Sequence, residues 1–264
     1  MGMLLLALIV IFILVMLGES LRHVIPYHPE ISRKFIHITV AGFAATWPLF
    51  LSRTDIVLIS IFLFAGIVAS RYLAFFESIH SIGRKTWGEL FFAMSFGVVA
   101  LMTGDALVYA AAILLMGVAD GLAGIIGSVY GKDQTYKVFS GTKSVIGTTT
   151  FWVLSLIIVA FCIVLNGQHA SWTILLWFPF AAALLENISI SGADNLIIPI
   201  FTAIILGEIT SIPASYGDLI GSLLVIALAA VIIAQLTPSK RFNYQRRFLA
   251  YVNLPVRHIL ARRR

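Results

Sequence analysis

Residues 117–148 read GVADGLAGIIGSVYGKDQTYKVFSGTKSVIGT, and the class of the whole chain turns on this stretch. It begins inside an apolar run, yet it carries an acid, Asp120, then a series of glycines, then Lys132, Lys137 and Lys143. Asp120, Gly124, Gly127 and Gly131 are spaced so that on a helix they fall within an arc of about 60°, a single face. A carboxylate in an apolar segment is costly unless it is paired or used. Glycines beside it let another group come close to the backbone. An acid that can hold a divalent cation, bare backbone and basic residues together suit the phosphate chain of a nucleotide. Taken singly, each has a plainer origin: small residues at this spacing make helix-packing faces in membranes, and lysines after a span commonly set topology. The combination is what points to phosphate chemistry.

Outward from that stretch the chain is apolar. Of its 264 residues 60% are hydrophobic and 11% charged, with a mean hydropathy of +1.00. A soluble domain of this length has no use for so much apolar surface, so the expected class is an all-α, polytopic integral membrane protein. The single cysteine, Cys162, lies in an apolar run and excludes a disulfide framework or a cysteine metal site. Apolar runs at 2–18, 36–51, 55–72, 88–103, 106–127, 144–165, 172–187, 196–210 and 217–236 predict about nine transmembrane helices. Residues 2–18 lack a basic leader, and LGESLRHVIPYHP offers no small-residue cleavage pattern, so this run reads as a retained first span.

Seventeen of the eighteen Lys and Arg fall on one side of these spans, with Arg53 on the other. The positive-inside rule makes the basic side cytoplasmic, which puts the N-terminus outside and the C-terminus in the cytoplasm. Residues 1–236 then form a single transmembrane catalytic domain. Residues 237–264 mix basic residues with Phe242, Tyr244, Phe248 and Tyr251, as a tail lying on an anionic membrane surface would. No nucleic-acid module accompanies the charge, so no nucleic-acid partner is expected.

Three further polar clusters lie on the basic side. In HPEISRKFIHI, Arg33, Lys34 and His37 can share a helix face entering the second span. Glu89 opens the fourth span, where the helix dipole favours a carboxylate. In ALLENISISGADNLIIPI, Glu186 ends one span while Asp194 and Asn195 open the next. The last two can simply cap a helix, but two acids at one membrane face can also share a metal ion or activate a hydroxyl. The loops on the other side, LSRTD, TGD and NGQHAS, hold no comparable group, so any chemistry belongs at the cytoplasmic face.

In order along residues 30–200, RKFIH, GEL, ADGLAGIIGSVYGK, GTKSVIGT and EN…ADN…P resemble the CTP-dependent polyisoprenol and lipid kinases, which include dolichol kinase, phytol kinase and the fungal CTP-dependent diacylglycerol kinase. The Asp–Gly helix followed by the K-S-x-x-G element is the specific part. The resemblance implies transfer of the terminal phosphoryl of CTP, with Mg²⁺, to the hydroxyl of a membrane lipid within the bilayer. It implies that Asp120 holds or orients the metal–triphosphate. Gly124, Gly127, Gly131 and Gly147 would line the nucleotide path, and Lys132, Lys143 and Ser144 would contact phosphates. Lys34 and His37 would flank the site, with Glu186, Asp194 and Asn195 as metal ligands and Glu186 or Asp194 as general base. An isoprenoid alcohol is the favoured acceptor, with diacylglycerol as the alternative, and a prokaryotic cytoplasmic membrane is the expected location.

The phosphatidate cytidylyltransferases share the Asp–Gly helix, but their K-R-x(4)-K-D and H-G-G-x-x-D-R-x-D elements are absent from ENISISGADN. GTKSVIGT also departs from the kinase pattern in having no acid after the lysine. An ion-coupled transporter is the reading from another class. It would set its acids near mid-membrane and show paired broken spans, whereas these acids lie towards the basic ends of the runs.

Overall fold

The computed structural model describes residues 2–24, 29–73, 87–138, 141–166 and 172–209. They form α1 (Gly2–Val24), α2 (Pro29–Ala44), a 3-10 turn (Trp47–Leu49), α3 (Arg53–Leu73) and α4 (Gly88–Met102). Then come α5 (Ala106–Leu114), a π-helical turn (Leu115–Ala119) and α6 (Asp120–Tyr130) in one continuous rod. An antiparallel hairpin, β1 (Thr135–Val138) and β2 (Gly141–Ser144), leads into α7 (Val145–Leu165), followed by α8 (Trp172–Ile188) and α9 (Asp194–Ile209).

The rod from Ala106 to Tyr130 is the axis of the molecule. Its apolar window is 67% buried, against 17%, 22% and 28% for the other three described helices long and apolar enough to cross a membrane, in α1, α3 and α7. Its two sides feed two cores. Tyr109, Ala112, Ile113 and Met116 pack with Val40, Trp47, Ile59 and Phe96 of the first half. Val108, Ala111, Leu115 and Ala119 pack with Phe151, Val159, Phe178 and Ile198 of the second. The outer helices keep large apolar side chains exposed, among them Phe12, Phe62, Ile157 and Phe161. Such contiguous apolar surface is what a bilayer covers.

Helices stand where eight of the apolar runs were read, with two differences of detail. The 36–51 run is not one helix: α2 starts seven residues earlier, at Pro29, and ends at Ala44 before the 3-10 turn that carries Pro48. Counting apolar residues misses that start because Lys34 and His37, although polar, are buried. The lysine-bearing segment 128–143 is not merely a loop, since it contains the hairpin, which adds a small sheet to an otherwise helical fold. Among the described residues, four helices meet the length and composition needed to cross a membrane unaided, and α4, α8 and α9 are shorter apolar helices. The run at 217–236 and the tail 237–264 lie outside the described residues.

The two ends of the bundle are closed differently. At one end polar side chains cap helices: Asp105 Oδ1 accepts from Leu107 and Val108 N–H at 2.7 and 3.1 Å, and Ser52 Oγ accepts from Asp55 N–H at 3.2 Å. Such caps satisfy the orphan amides of a first turn. At the other end the α8–α9 turn locks onto the start of α4. Trp87 N–H donates to Ser191 O at 3.1 Å, and Asn195 Nδ2 donates to Gly88 O at 2.9 Å. Gly192 lies in this turn at φ +85°, and a Cβ on it would overlap the Gly88 backbone.

Gly192→Ala therefore faces a left-handed backbone costing about 1–2 kcal/mol as well as that overlap. Thermal unfolding in detergent should show a clear loss of stability. Gly42→Ala, a helical site with nothing near its Cβ, should be neutral or stabilising by up to about 1 kcal/mol. Equal midpoints for the two variants would contradict the role given to the turn.

Candidate active site

The site forms where α2, the middle of the rod, the hairpin, the end of α8 and the start of α9 meet. It begins with the close seating of α2 on α6. A Cβ at Gly117 would overlap Ala41, and one at Gly121 would overlap Ile38, so glycine at both lets the two helices touch. Lys34 then runs over Gly124, where a Cβ would sit 2.8 Å from Lys34 Cε, and its ammonium meets Asp120 Oδ2 at 2.6 Å. Both partners are buried. His37, one turn further along α2, brings Nε2 to 3.7 Å from the same carboxylate oxygen and 3.2 Å from the Met116 carbonyl. A carbonyl can only accept, so Nε2 is the protonated nitrogen in that contact. The His37 ring rests on Phe92, with centroids 4.1 Å apart.

The π turn places these groups. Asp120 N–H bonds the carbonyls of Leu115 and Gly117, and the widened turn ends at Asp120. Single π turns inside helices are frequent at functional sites.

The hairpin supplies the second ion pair. Strand alternation turns Tyr136 and Lys143, which are directly opposite in the register, inwards, and leaves Lys137 and Thr142 exposed. Lys143 Nζ donates to Glu186 Oε1, and Tyr136 Oη donates to Asn187 Oδ1 at 2.5 Å and also meets the Thr148 hydroxyl. Burial by itself would pull the Lys143 ammonium down, but Glu186 beside it, with Asp120 and Asp194 nearby, pushes it above its ordinary value. It is a cation at neutral pH. Glu186 is buried, and its second oxygen, Oε2, has no hydrogen-bond partner. Asp194, partly buried at the start of α9, lies within electrostatic range of Asp120, Lys34 and Lys143, and Glu186 within range of Asp120 and Asp194.

Thus Lys34, His37, Asp120, Lys143, Glu186 and Asp194 come together although they stand far apart in sequence. The other residues singled out in the sequence have different places. A Cβ at Gly127 would lie 2.6 Å from Ser144 Oγ, and one at Gly147 would lie 2.8 Å from it; one at Gly131 would overlap Ser144. These three glycines are packed on the chain itself, closing α6 against α7. Ser144 caps α7, its hydroxyl accepting from Gly147 N–H at 3.0 Å. The Asn195 amide nitrogen ties α9 to Gly88. Lys132 stands exposed on the turn after α6. Tyr136, Thr148 and Asn187 were missed by the sequence reading. The two-residue period around Tyr136 and Lys143 was the signal that could have found the first of them.

Among the described residues, no three His, Cys, Asp or Glu side chains form a ready metal cage. Mg²⁺ is usually held by one or two carboxylates, with phosphate oxygens and water completing its shell. The unpartnered Glu186 oxygen, with Asp120 and Asp194 nearby, is a donor set of that kind.

No protein-family model matches the chain, and no solved structure matches it. It is 29% identical over 200 residues to the phytol kinase of Synechocystis sp., a match covering 72% of this chain and 84% of that relative. This likeness supports a relationship, at the level of the family, to the polyprenol and phytol kinases. Two lysines and three carboxylates drawn to one place are compatible with such a relationship, since phosphoryl transfer calls for cations on phosphates and carboxylates for a metal.

Gly124→Ala tests the geometry directly. The added methyl would displace the Lys34 side chain from Asp120, so activity should fall tenfold or more while Gly42→Ala keeps the parent rate. Equal rates for both would mean that the Lys34–Asp120 contact is not required.

Proposed function

We propose that the chain is a membrane lipid kinase that transfers the terminal phosphoryl group of CTP, with Mg²⁺, to the hydroxyl of an isoprenoid alcohol such as phytol or a polyprenol. The observation that carries this reading is the convergence of the Lys34–Asp120 and Lys143–Glu186 pairs at one place. The family relationship supports the alcohol acceptor, and the resemblance noted in the sequence supports CTP.

In this reading Lys34 and Lys143 turn part of their charge from their carboxylates to phosphate oxygens. Lys143, partly exposed at the hairpin, is the cation that an incoming nucleotide meets first. When bound, Mg²⁺ neutralises charge on the β- and γ-phosphates, and Asp120, Glu186 and Asp194 are the residues that would hold it. The alcohol oxygen attacks the γ-phosphorus, the bond from that phosphorus to the bridging oxygen breaks, CDP leaves, and the hydroxyl proton passes to an acceptor of the cluster. Whichever of Glu186 and Asp194 does not hold the metal takes it. His37, buried against Phe92 and Asp120, fixes the Asp120 carboxylate and shields it from water. The chemistry asked of the protein is alignment and charge neutralisation. The concentration of basic residues on one side of the spans supports a site facing the cytoplasm.

The test supplies purified protein with γ-labelled CTP or ATP, Mg²⁺, and separately phytol, a long polyprenol and diacylglycerol. Label should pass from CTP to an isoprenoid alcohol. Transfer from ATP alone would remove CTP from the account, and transfer only to diacylglycerol would change the acceptor. CDP-lipid formed from phosphatidate and α-labelled CTP would make the protein a cytidylyltransferase. Asp120→Asn and Lys143→Ala should lose at least a hundredfold in rate, and Glu186→Gln should be severely impaired. Arg53→Ala, exposed at the capped end, should be silent.

A further inference from the structure

A groove of about 230 Å³ lies between α1, α2, α3 and α4, outside the cluster just described except at one residue, His37, which belongs to both. Its lining is graded. Leu8, Ile11, Phe12, Val40, Phe62 and Leu63 make the far part wholly apolar. The polar members Arg33, His37, Glu89 and Asn195, with Ser70, collect at the other end. Leu8 to Val15 on α1 and Arg33 to Val40 on α2 each cover seven residue steps, so the groove runs about 10 Å along the helices.

Among the described residues, its mouth opens on the apolar exterior. α1 packs along α2 but barely touches α3, and the lips of the gap are Phe12 and Phe62, 58% and 61% exposed. Gly66 of α3 lines the groove, with nothing within 4 Å of where its Cβ would be. An elongated apolar slot, open sideways and polar only where it reaches the ion pairs, has the form of a site for a long hydrocarbon with one polar end.

We propose that this groove is the acceptor subsite: it holds the part of the isoprenoid chain nearest the hydroxyl, the rest running out into the bilayer, and delivers the hydroxyl at His37, beside Asp120. The nucleotide side of the site is then the hairpin and α8, and the two substrates reach the cluster from different directions. The inference rests on the kinase reading for the identity of its occupant. The residues of the groove contribute to alcohol binding without touching CTP.

The experiment uses the full chain in detergent or lipid and a photoreactive diazirine analogue of phytol, a probe that needs no turnover. Crosslinks should map to peptides of α1 and α3 around Phe12 and Phe62, and excess phytol should remove them where excess phosphatidylcholine does not. Gly66→Phe, which fills the slot from a position with open space, should reduce labelling and raise the KM for phytol tenfold or more, with the KM for CTP unchanged. Gly42→Phe, equally open but off the groove, should alter neither. Crosslinks elsewhere, crosslinks displaced equally by phosphatidylcholine, or unchanged labelling in Gly66→Phe would overturn the proposal. If no donor supports phosphoryl transfer, the kinase reading fails while the labelling result still decides whether the groove binds the alcohol.

Discussion

The buried contact between Lys34 and Asp120 is the constraint from which the rest of the structure follows. Taking two charges out of water costs several kcal/mol each, and a pair recovers this only with good geometry. Such pairs are weak devices for stability and are retained where they serve something else. Here the geometry has to be built from both partners. The π turn presents Asp120, the glycines at 117 and 121 let α2 lie against the rod, and Gly124 clears a path for the lysine stem. A side chain at any of the three would separate the charges or the helices that carry them.

Around that pair the fold divides its tasks. At the capped end Asp105 and Ser52 satisfy first-turn amides. The rod joins two apolar cores, so the α2 side and the α7–α9 side meet at fixed distance across it. The hairpin then adds what helices of this length cannot: a period of two that sends Lys143 inwards and Lys137 outwards. The Tyr136–Asn187 contact holds the hairpin to α8, next to Glu186, so the second ion pair forms against a rigid neighbour.

Much of this was legible in the chain. Apolar runs marked the helices because each helix needs a continuous apolar surface, and Asp120 stood out because a carboxylate in such a run demands a partner. Lys34 and His37 were singled out as basic groups on one helix face, and Glu186 and Asp194 as acids at one membrane face; the structure sets all four around Asp120. What could not be read was who meets whom. The glycine face of α6 was read as a nucleotide path, yet Gly127 and Gly131 are covered by Ser144, because one-face spacing fixes a direction and not the neighbour found there. Asn195 looked like a ligand beside Asp194 but binds Gly88, a contact that depends on the α8–α9 turn. The π turn left no periodic signal, and the two-residue period of the hairpin runs over only four residues in each strand. The apolar groove is assembled from four helices, none of which reveals it alone.

The central claim is that the two ion pairs form one catalytic unit. It is tested most directly by a double-mutant cycle on single-turnover phosphoryl transfer, with Asp120→Asn, Glu186→Gln and the two combined. Groups that act as a unit are strongly non-additive, so the double variant should be about as slow as the slower single variant. If the two losses multiply instead, the pairs act independently, and the account of a single site built around Lys34 and Asp120 is wrong.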